Sequence, residues 1–378
     1  MYNRSISKQI TESLYQGKVI IIYGARQVGK TTLSKQILEE QKTLGKKCLY
    51  LNCELMSVKS RLETDNEQSL KDFFGDNNLV ILDEAQTISE IGRKLKILVD
   101  TYPKIQIIAT GSSSFSLANQ IGEPLVGRSR MFIIYPLSIL ELKEKFNNFE
   151  LDSKIENILR FGAYPAIVDL PDSMAAFDLD NLAGSYLYKD ILAFENIKNS
   201  SVISKLLKLL ALQVGSEVSI NELATQLNIS SQTVKKYIDL LEKNFIIFSL
   251  SALSKNIRKE ISKSSKIYFY DLGIRNAIIN NFNTIDNRND VGALWENFCI
   301  LERMKINQLK GIPVKKYFWR TYNEEEVDYI EEYNGQFFGY EFKYSKDTFK
   351  TPKAFLDLYN NTEVKLVNKK NYLQFLSA

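Results

Sequence analysis

The chain has 378 residues, 44% apolar and 25% charged, with a net charge of +4; it is too long for one ordinary domain and only mildly basic, so any nucleic-acid contact must come from a local patch. It contains no histidine, which excludes Ser-His-Asp and Cys-His nucleophilic sites, His-ligated zinc and imidazole general bases. Cys48, Cys53 and Cys299 form no disulfide framework or zinc pattern, and with no apolar run near a membrane span or signal peptide, a cytoplasmic location is expected.

The first strong signal is GKVIIIYGARQVGKTTLSKQILEEQ. An apolar strand over Val19–Tyr23 runs into a glycine-containing loop and then a helical pattern. The loop fits GxxxxGK[ST] through Gly24, Gly29, Lys30 and Thr31. Its glycines let backbone amides close around phosphates, and the helix N-terminus adds a favourable dipole. Lys30 is expected to reach the β and γ phosphates and Thr31 to hold Mg²⁺. The predicted ATP cradle is Gly24, Ala25, Arg26, Gln27, Val28, Gly29, Lys30, Thr31 and Thr32.

NLVILDEAQ follows, an apolar strand ending in Asp83 and Glu84. Asp83 is placed to orient the Mg²⁺ shell with Thr31, on a strand end expected to adjoin that of the loop. Glu84 is placed to polarise the attacking water. A third strand, KIQIIATGSSS, ends in Thr110, Gly111 and Ser112. The polar residues there, Thr110 and Ser112, are candidate sensors of the γ-phosphate, with a simple Ser/Gly turn as the plain alternative.

IGEPLVGRSRMFIIYPLSILEL completes an order of motifs: GARQVGKTT, LDEAQ, ATGSS, LVGRSR, YPLSILEL. This order resembles the AAA-type ATPases of a large prokaryotic group that carry a C-terminal domain of unknown function. The resemblance covers nearly the whole chain and is sharp at the P-loop and at LDEAQ. It implies that Arg128 is an arginine finger reaching a neighbouring subunit's nucleotide, hence a homo-oligomer, with Arg130 as the competing assignment.

From Ser138 to Val214 the periodicity is mostly helical, interrupted by FGAYPAIVDLPDS, a Gly/Pro-rich connector. FGAYPAIV and YLYKDIL resemble the start of the same group's C-terminal region. SEVSINELATQLNISSQTVKKYIDLLEKNFIIFSL is more readable. A helix over Ile220–Leu227 presents Leu223, Ala224 and Leu227 at helical spacing, and NIS makes a turn. A second helix over Ser231–Lys243 buries Val234, Tyr237, Ile238 and Leu241. Strand-like FIIFSL follows. This is helix-turn-helix and wing geometry, in which Ser231, Gln232, Thr233, Lys235 and Lys236 face a major groove. The next segment holds Lys255, Arg258, Lys259, Lys263 and Lys266 against Glu260, the electrostatic footprint expected of a DNA-binding wing. A winged fold reused for protein contacts, or a solvated loop, is the competing reading.

KIYFYDLGIRNAI reads as an apolar strand with a turn, and VGALWENFCILERMK as a helix. PVKKYFWRT, EVDYIEEY and GQFFGYEFKYS then read as three successive strands. A helix followed by a strand meander carrying D…ExK resembles the PD-(D/E)XK endonuclease-like core. Residues two apart on a strand share a face, so Glu341 and Lys343 point together while Tyr340, Phe342 and Tyr344 pack the other side. Asp328 lies on the neighbouring strand, and Glu296 on the helix is the fourth member. Asp328 and Glu341 suit Mg²⁺, a hard ion that prefers oxygen, and Lys343 stands beside them.

The expected fold is thus α/β. It comprises a parallel-sheet P-loop ATPase core (1–137), a helical lid or linker (138–214), a winged helix-turn-helix (215–275) and a nuclease-like α/β domain (276–378). The expected function is ATP-driven binding and remodelling of DNA, branched DNA among the candidates, which the C-terminal domain binds or cleaves. Repair, recombination, mobile-element biology or defence is the natural setting. The alternative is a nucleotide-dependent switch whose C-terminal domains bind protein partners without cutting anything.

Overall fold

A computed structural model describes residues 2–64, 66–111, 125–193, 200–254, 265–321, 325–359 and 362–377, with the backbone alone for 185–193, 200 and 377. The chain divides into two compact units. One covers Met1–Glu141 with Lys243–Phe245, and the other covers Leu142–Glu242 with Ile246–Ala378.

The first unit is built on strands β1 (Val19–Tyr23), β2 (Cys48–Asn52), β3 (Leu79–Asp83), β4 (Gln106–Gly111) and β5 (Ser129–Ile133). Every pairing is parallel, in the order β2-β3-β4-β1-β5. The three central strands are buried along almost their whole length because parallel strands are covered on both faces by their crossover helices. Among those helices are Lys30–Thr43 and Ile91–Thr101, the second contributing Leu95, Leu98 and Val99 to the core. β4 runs between β1 and β3, so the ends of the P-loop strand and the Asp83 strand are separated by one strand rather than adjacent, as the sequence suggested.

The second unit begins with helices Asn148–Phe161, Asp172–Ala193 and Ser200–Leu212. A capping box, with Asn147 and Glu150 exchanging side-chain and backbone bonds, starts the first. Helices Ile220–Leu227 and Ser231–Lys243 form where the hydrophobic periodicity places them. Ser219 caps the first, and Asn228 ends it in the left-handed conformation. The second helix buries Leu240 in addition to Val234, Ile238 and Leu241, and Tyr237 is half-buried.

One mixed sheet runs through the rest of the unit. Its strands are β6 (Glu217–Val218), β7 (Ile247–Ala252), β8 (Ser265–Phe269), β9 (Lys315–Arg320), β10 (Glu326–Tyr333), β11 (Gln336–Phe342) and β12 (Glu363–Val367), in the order β12-β11-β10-β9-β7-β8-β6. β9, β10 and β11 form the expected antiparallel meander, turned at Asn334-Gly335, where both residues have positive φ. Parallel pairing of β7 with β9 makes the sheet continuous across position 275. The segment after β8, expected as a turn, forms the helix Leu272–Ile278, capped by Asp271. The long helix Val291–Lys310 buries Trp295, Phe298 and Cys299. Among the described residues no helix is long and apolar enough to cross a membrane.

Candidate functional site

In the first unit the loop 24–29 connects β1 to the helix Lys30–Thr43. Gly24 cannot be replaced without movement, because a Cβ there would lie 2.2 Å from the Ile134 carbonyl oxygen. Gln27 and Gly29 have positive φ, which turns successive amides inward. Lys30 is buried, with Nζ donating to the carbonyls of Gly24 at 3.0 Å and Ala25 at 2.7 Å. Thr31 Oγ1 donates to Asp83 Oδ2 at 2.9 Å, so the two residues expected to share a Mg²⁺ shell are in contact.

Two further hydroxyls converge on Asp83. Thr110, at the end of β4, donates to Oδ1, and Tyr50 of β2 donates to Oδ2 at 2.5 Å. Burial, then the Asp83 hydrogen bond, pushes the Tyr50 phenol well above its ordinary range, so it stays a donor. Glu84 has positive φ, its amide donates to Thr110 Oγ1 at 3.1 Å, and Gln86 donates to its carboxylate at 2.5 Å. Ser112 lies outside the described residues.

Arg128 is partly exposed and pairs with Asp100 at 2.7 Å, while Arg130 donates to Ser13 Oγ at 2.9 Å. Nucleotide phosphates and Mg²⁺ fit the donor set: an ammonium, a hydroxyl and a carboxylate gathered at the C-terminal ends of β1, β3 and β4.

On the helix Ser231–Lys243, Gln232, Lys235 and Lys236 are exposed and Ser231 and Thr233 are half-buried. Lys255, Arg258, Lys259 and Lys263 lie outside the described residues. Lys266 corrects the sequence reading. It is 3% exposed and its Nζ points into the second unit's acidic cluster, where it meets Glu296 at 3.1 Å and Glu326 at 2.6 Å. A run of charged residues conceals which of them the strand turns inward.

The acidic cluster gathers the four predicted residues. Lys343 Nζ lies 2.7 Å from Glu341 Oε1 and 3.9 Å from Asp328 Oδ2, which also accepts from the Phe342 amide at 2.8 Å. The β9–β10 register shifts between Val327 and Ile330, a bulge spanning Asp328 of the kind that re-aims a side chain. Glu296 Oε1 accepts from both Lys266 and Tyr268, the latter at 2.5 Å.

Burial raises the Asp328 carboxyl far above the usual carboxylate range, with Glu296 adding to the rise. Burial, then Asp328, pushes Glu341 up to about 7. For Lys266, burial works against the charge, but Glu296, Asp328 and Glu326 outweigh it and hold the ammonium above its ordinary range. Among the described residues Glu341 Oε2 is buried with no hydrogen-bond partner, an orphaned acceptor that a hard cation would satisfy. Among the described residues no three acidic or thiol ligands already converge as a cage, so an ion here would rest on Asp328, Glu341 and oxygens of water or substrate. Sequence reasoning missed Tyr50, Lys266, Tyr268 and Glu326 as members of these sites.

Residues 16–143 match a family model described as an AAA domain. Residues 152–284 match a domain of unknown function (DUF8612), and 291–375 match another (DUF4143). An uncharacterized protein of Mycobacterium tuberculosis is 26% identical over 346 residues, covering 90% of this chain and 73% of its own. One from Methanocaldococcus jannaschii is 26% identical over 317 residues, covering 74% of this chain and 66% of its own.

Among solved structures, AMPPCP-bound DnaA from Aquifex aeolicus gives a TM-score of 0.31 at 19% identity, covering 63% of this chain and 86% of its own. Pif1 helicase from Candida albicans gives 0.29 at 13% identity, covering 48% of each chain. Likenesses of that extent carry no argument. The N-terminal part of the chain is similar to AAA-type P-loop domains, and its C-terminal part to DUF4143.

Proposed function

We propose that the protein is a Mg²⁺-dependent ATPase of AAA type that binds and remodels DNA. The observation that carries the reading is the convergence of Thr31, Tyr50 and Thr110 on Asp83, in a site whose buried Lys30 stands at a glycine-lined turn. Bound Mg²⁺ would neutralise charge on the β and γ phosphates. Thr31 and Asp83 would hold it, the loop 24–32 and Lys30 would grip the phosphates, and Glu84 would orient the attacking water. Arg128 would complete the site of a neighbouring copy, making the protein a homo-oligomer.

In this reading the helix Ser231–Lys243 holds DNA, with Gln232, Lys235 and Lys236 exposed for contact. The acidic cluster of Glu296, Asp328, Glu341 and Lys343 binds or cuts DNA in a PD-(D/E)XK-like arrangement. Its Mg²⁺ would be held by Asp328 and Glu341, and would supply an activated water. The helix, meander and D…ExK order support that part of the reading, as does the orphaned Glu341 Oε2. The four segments 1–137, 138–214, 215–275 and 276–378 are proposed as its functional parts, in a cytoplasmic protein.

One observation favours a second reading, a nucleotide-dependent switch that binds protein partners. Lys266 and Lys343 already pair with the cluster's carboxylates, as in a site that has given up cleavage. Purified protein with MgATP, assayed alone and with duplex, single-stranded and four-way DNA, separates the two. DNA should raise the hydrolysis rate, and K235A should blunt the rise. Equal rates with and without every DNA would leave the switch.

A further inference from the structure

We infer that Lys266 is a built-in counter-cation of the acidic cluster, holding Glu296 and Glu326 together without a metal and leaving Asp328 and Glu341 as the pair presented to a divalent cation. The second half of this inference rests on the proposed reading of the cluster as a Mg²⁺ site; the first half does not. No D…ExK pattern includes Lys266.

The strand geometry makes the assignment. Lys266 and Tyr268 are two apart on β8, so their side chains leave the same face. Both end on one atom, Glu296 Oε1, which thereby has two donors, at 3.1 Å and 2.5 Å. Lys266 Nζ also lies 2.6 Å from Glu326 Oε1 and faces the Phe318 ring, with its side chain 4% exposed. Glu296 and Glu326 therefore share one buried ammonium supplied from within the fold.

Asp328 and Glu341 differ. They share Lys343, whose side chain is 35% exposed, and among the described residues Glu341 Oε2 has no partner although it is buried. Each carboxylate pair thus has one ammonium, Lys266 buried beside Glu296 and Glu326 and Lys343 partly exposed beside Asp328 and Glu341. The orphaned oxygen says where negative charge is least compensated.

The location has a consequence. β8 is part of the β-ribbon that follows the helix-turn-helix, pairing with β6 at Glu217 and with β7 at Leu250. A strand of the proposed DNA-binding module thus supplies a charge to the proposed nuclease-like site, and a displacement of β8 would withdraw Lys266 from its two acids.

The test uses the full chain, melted in chelator and then titrated with Mn²⁺ alone. K266M should melt below the parent without metal, and Mn²⁺ should raise its midpoint by more than it raises the parent's. K266R should stay close to the parent, and E326Q added to K266M should recover part of the metal-free loss, because the charge left unpaired has gone.

By calorimetry E341Q should weaken Mn²⁺ binding by about 10-fold or more, while E326Q leaves it nearly unchanged; these two variants decide the metal pair even if K266M does not fold. No rescue by E326Q, with equal Mn²⁺ shifts in K266M and parent, would overturn the inference. So would a loss of binding confined to E326Q. A parent that takes no Mn²⁺ while E326Q still rescues K266M would refute the metal reading of the cluster and uphold the counter-cation.

Discussion

The guanidinium of Arg4 donates to the carbonyl of Val28, inside the phosphate-binding loop, at 2.7 Å. The same group donates to the Tyr135 carbonyl at 2.5 Å and pairs with Glu141 at 3.0 Å, both side chains being nearly buried. Glu141 in turn accepts from the amides of Ser5 and Ser138. The back of the loop is thus fixed by one planar fork that no other side chain reproduces. Arg4→Ala leaves Glu141 buried without its cation, which for such pairs costs about 3–5 kcal/mol. It should also weaken ATP binding, because the loop loses its support. Urea unfolding and a nucleotide titration check both, with Arg4→Lys recovering little; an unchanged midpoint and affinity would falsify the assignment.

Lys30→Ala should abolish ATP turnover, since the phosphates lose the one ammonium the loop folds around. Hydrolysis that persists would sink the proposed engine. Arg128→Ala should leave ATP affinity and stability close to the parent, because an exposed pair such as Arg128–Asp100 is screened by solvent and contributes little. Turnover should nevertheless fall, as expected of a group acting on a neighbouring copy. Arg130→Ala is the control, and a parent-like rate for R128A with a slow R130A would transfer the role.

The P-loop and LDEAQ were legible because phosphate and Mg²⁺ binding needs fixed residue types at short spacing. The β9–β11 meander was legible because Asn334-Gly335 punctuates an apolar alternation. Arg4, Tyr50 and Lys266 were not. Arg4 works through carbonyls and a carboxylate remote in sequence, and Tyr50 looks like any strand tyrosine until β3 is laid beside β2. Lys266 sits in a run of basic residues whose local charge says "exposed". The β7–β9 pairing, which joins β7 and β8 to the meander, brings Glu326 within reach of its ammonium, and the helix Val291–Lys310 brings Glu296.

Two glycines hold the second unit's central node. A Cβ on Gly273 would meet the Phe161 carbonyl oxygen at 2.1 Å, and one on Gly162, whose φ is +73°, would meet Asp271 Oδ1 at 2.0 Å. At Gly273 the obstacle is backbone, and at Gly162 it is the buried Asp271 carboxylate together with a left-handed φ, so neither position yields cheaply. Gly273→Ala and Gly162→Ala should each cost at least about 2 kcal/mol. Gly292→Ala, in the helix Val291–Lys310 with open space around it, should be neutral or slightly stabilising. Thermal melting of the three variants is the measurement, and equal midpoints for all three would contradict the packing argument.

Asp271 at that node gives the pH dependence a sign. Its carboxylate accepts from the amides of Ala163 at 2.8 Å and Ile274 at 3.1 Å, and it is 4% exposed. Burial pushes its carboxyl up to about 6, against the pull of those amide bonds, which favour the ionised form. In the unfolded chain the same group titrates near about 3.9. Between those values the folded chain binds more protons than the unfolded one, so this group's contribution to stability grows as pH falls through the window and is lost as pH rises through about 6. The displacement corresponds to at most about 3 kcal/mol. Asp271→Asn keeps an acceptor for the helix N-terminus but removes the titration. Other buried carboxyls bend the raw curves in the same range, so the decisive quantity is parent minus D271N unfolding free energy between pH 4.5 and 7. That difference should shift in the parent's favour as pH drops below 6, because only the parent takes up the proton on folding. A difference that stays flat would mean Asp271 is already ionised in the folded chain throughout, with its amide bonds outweighing burial.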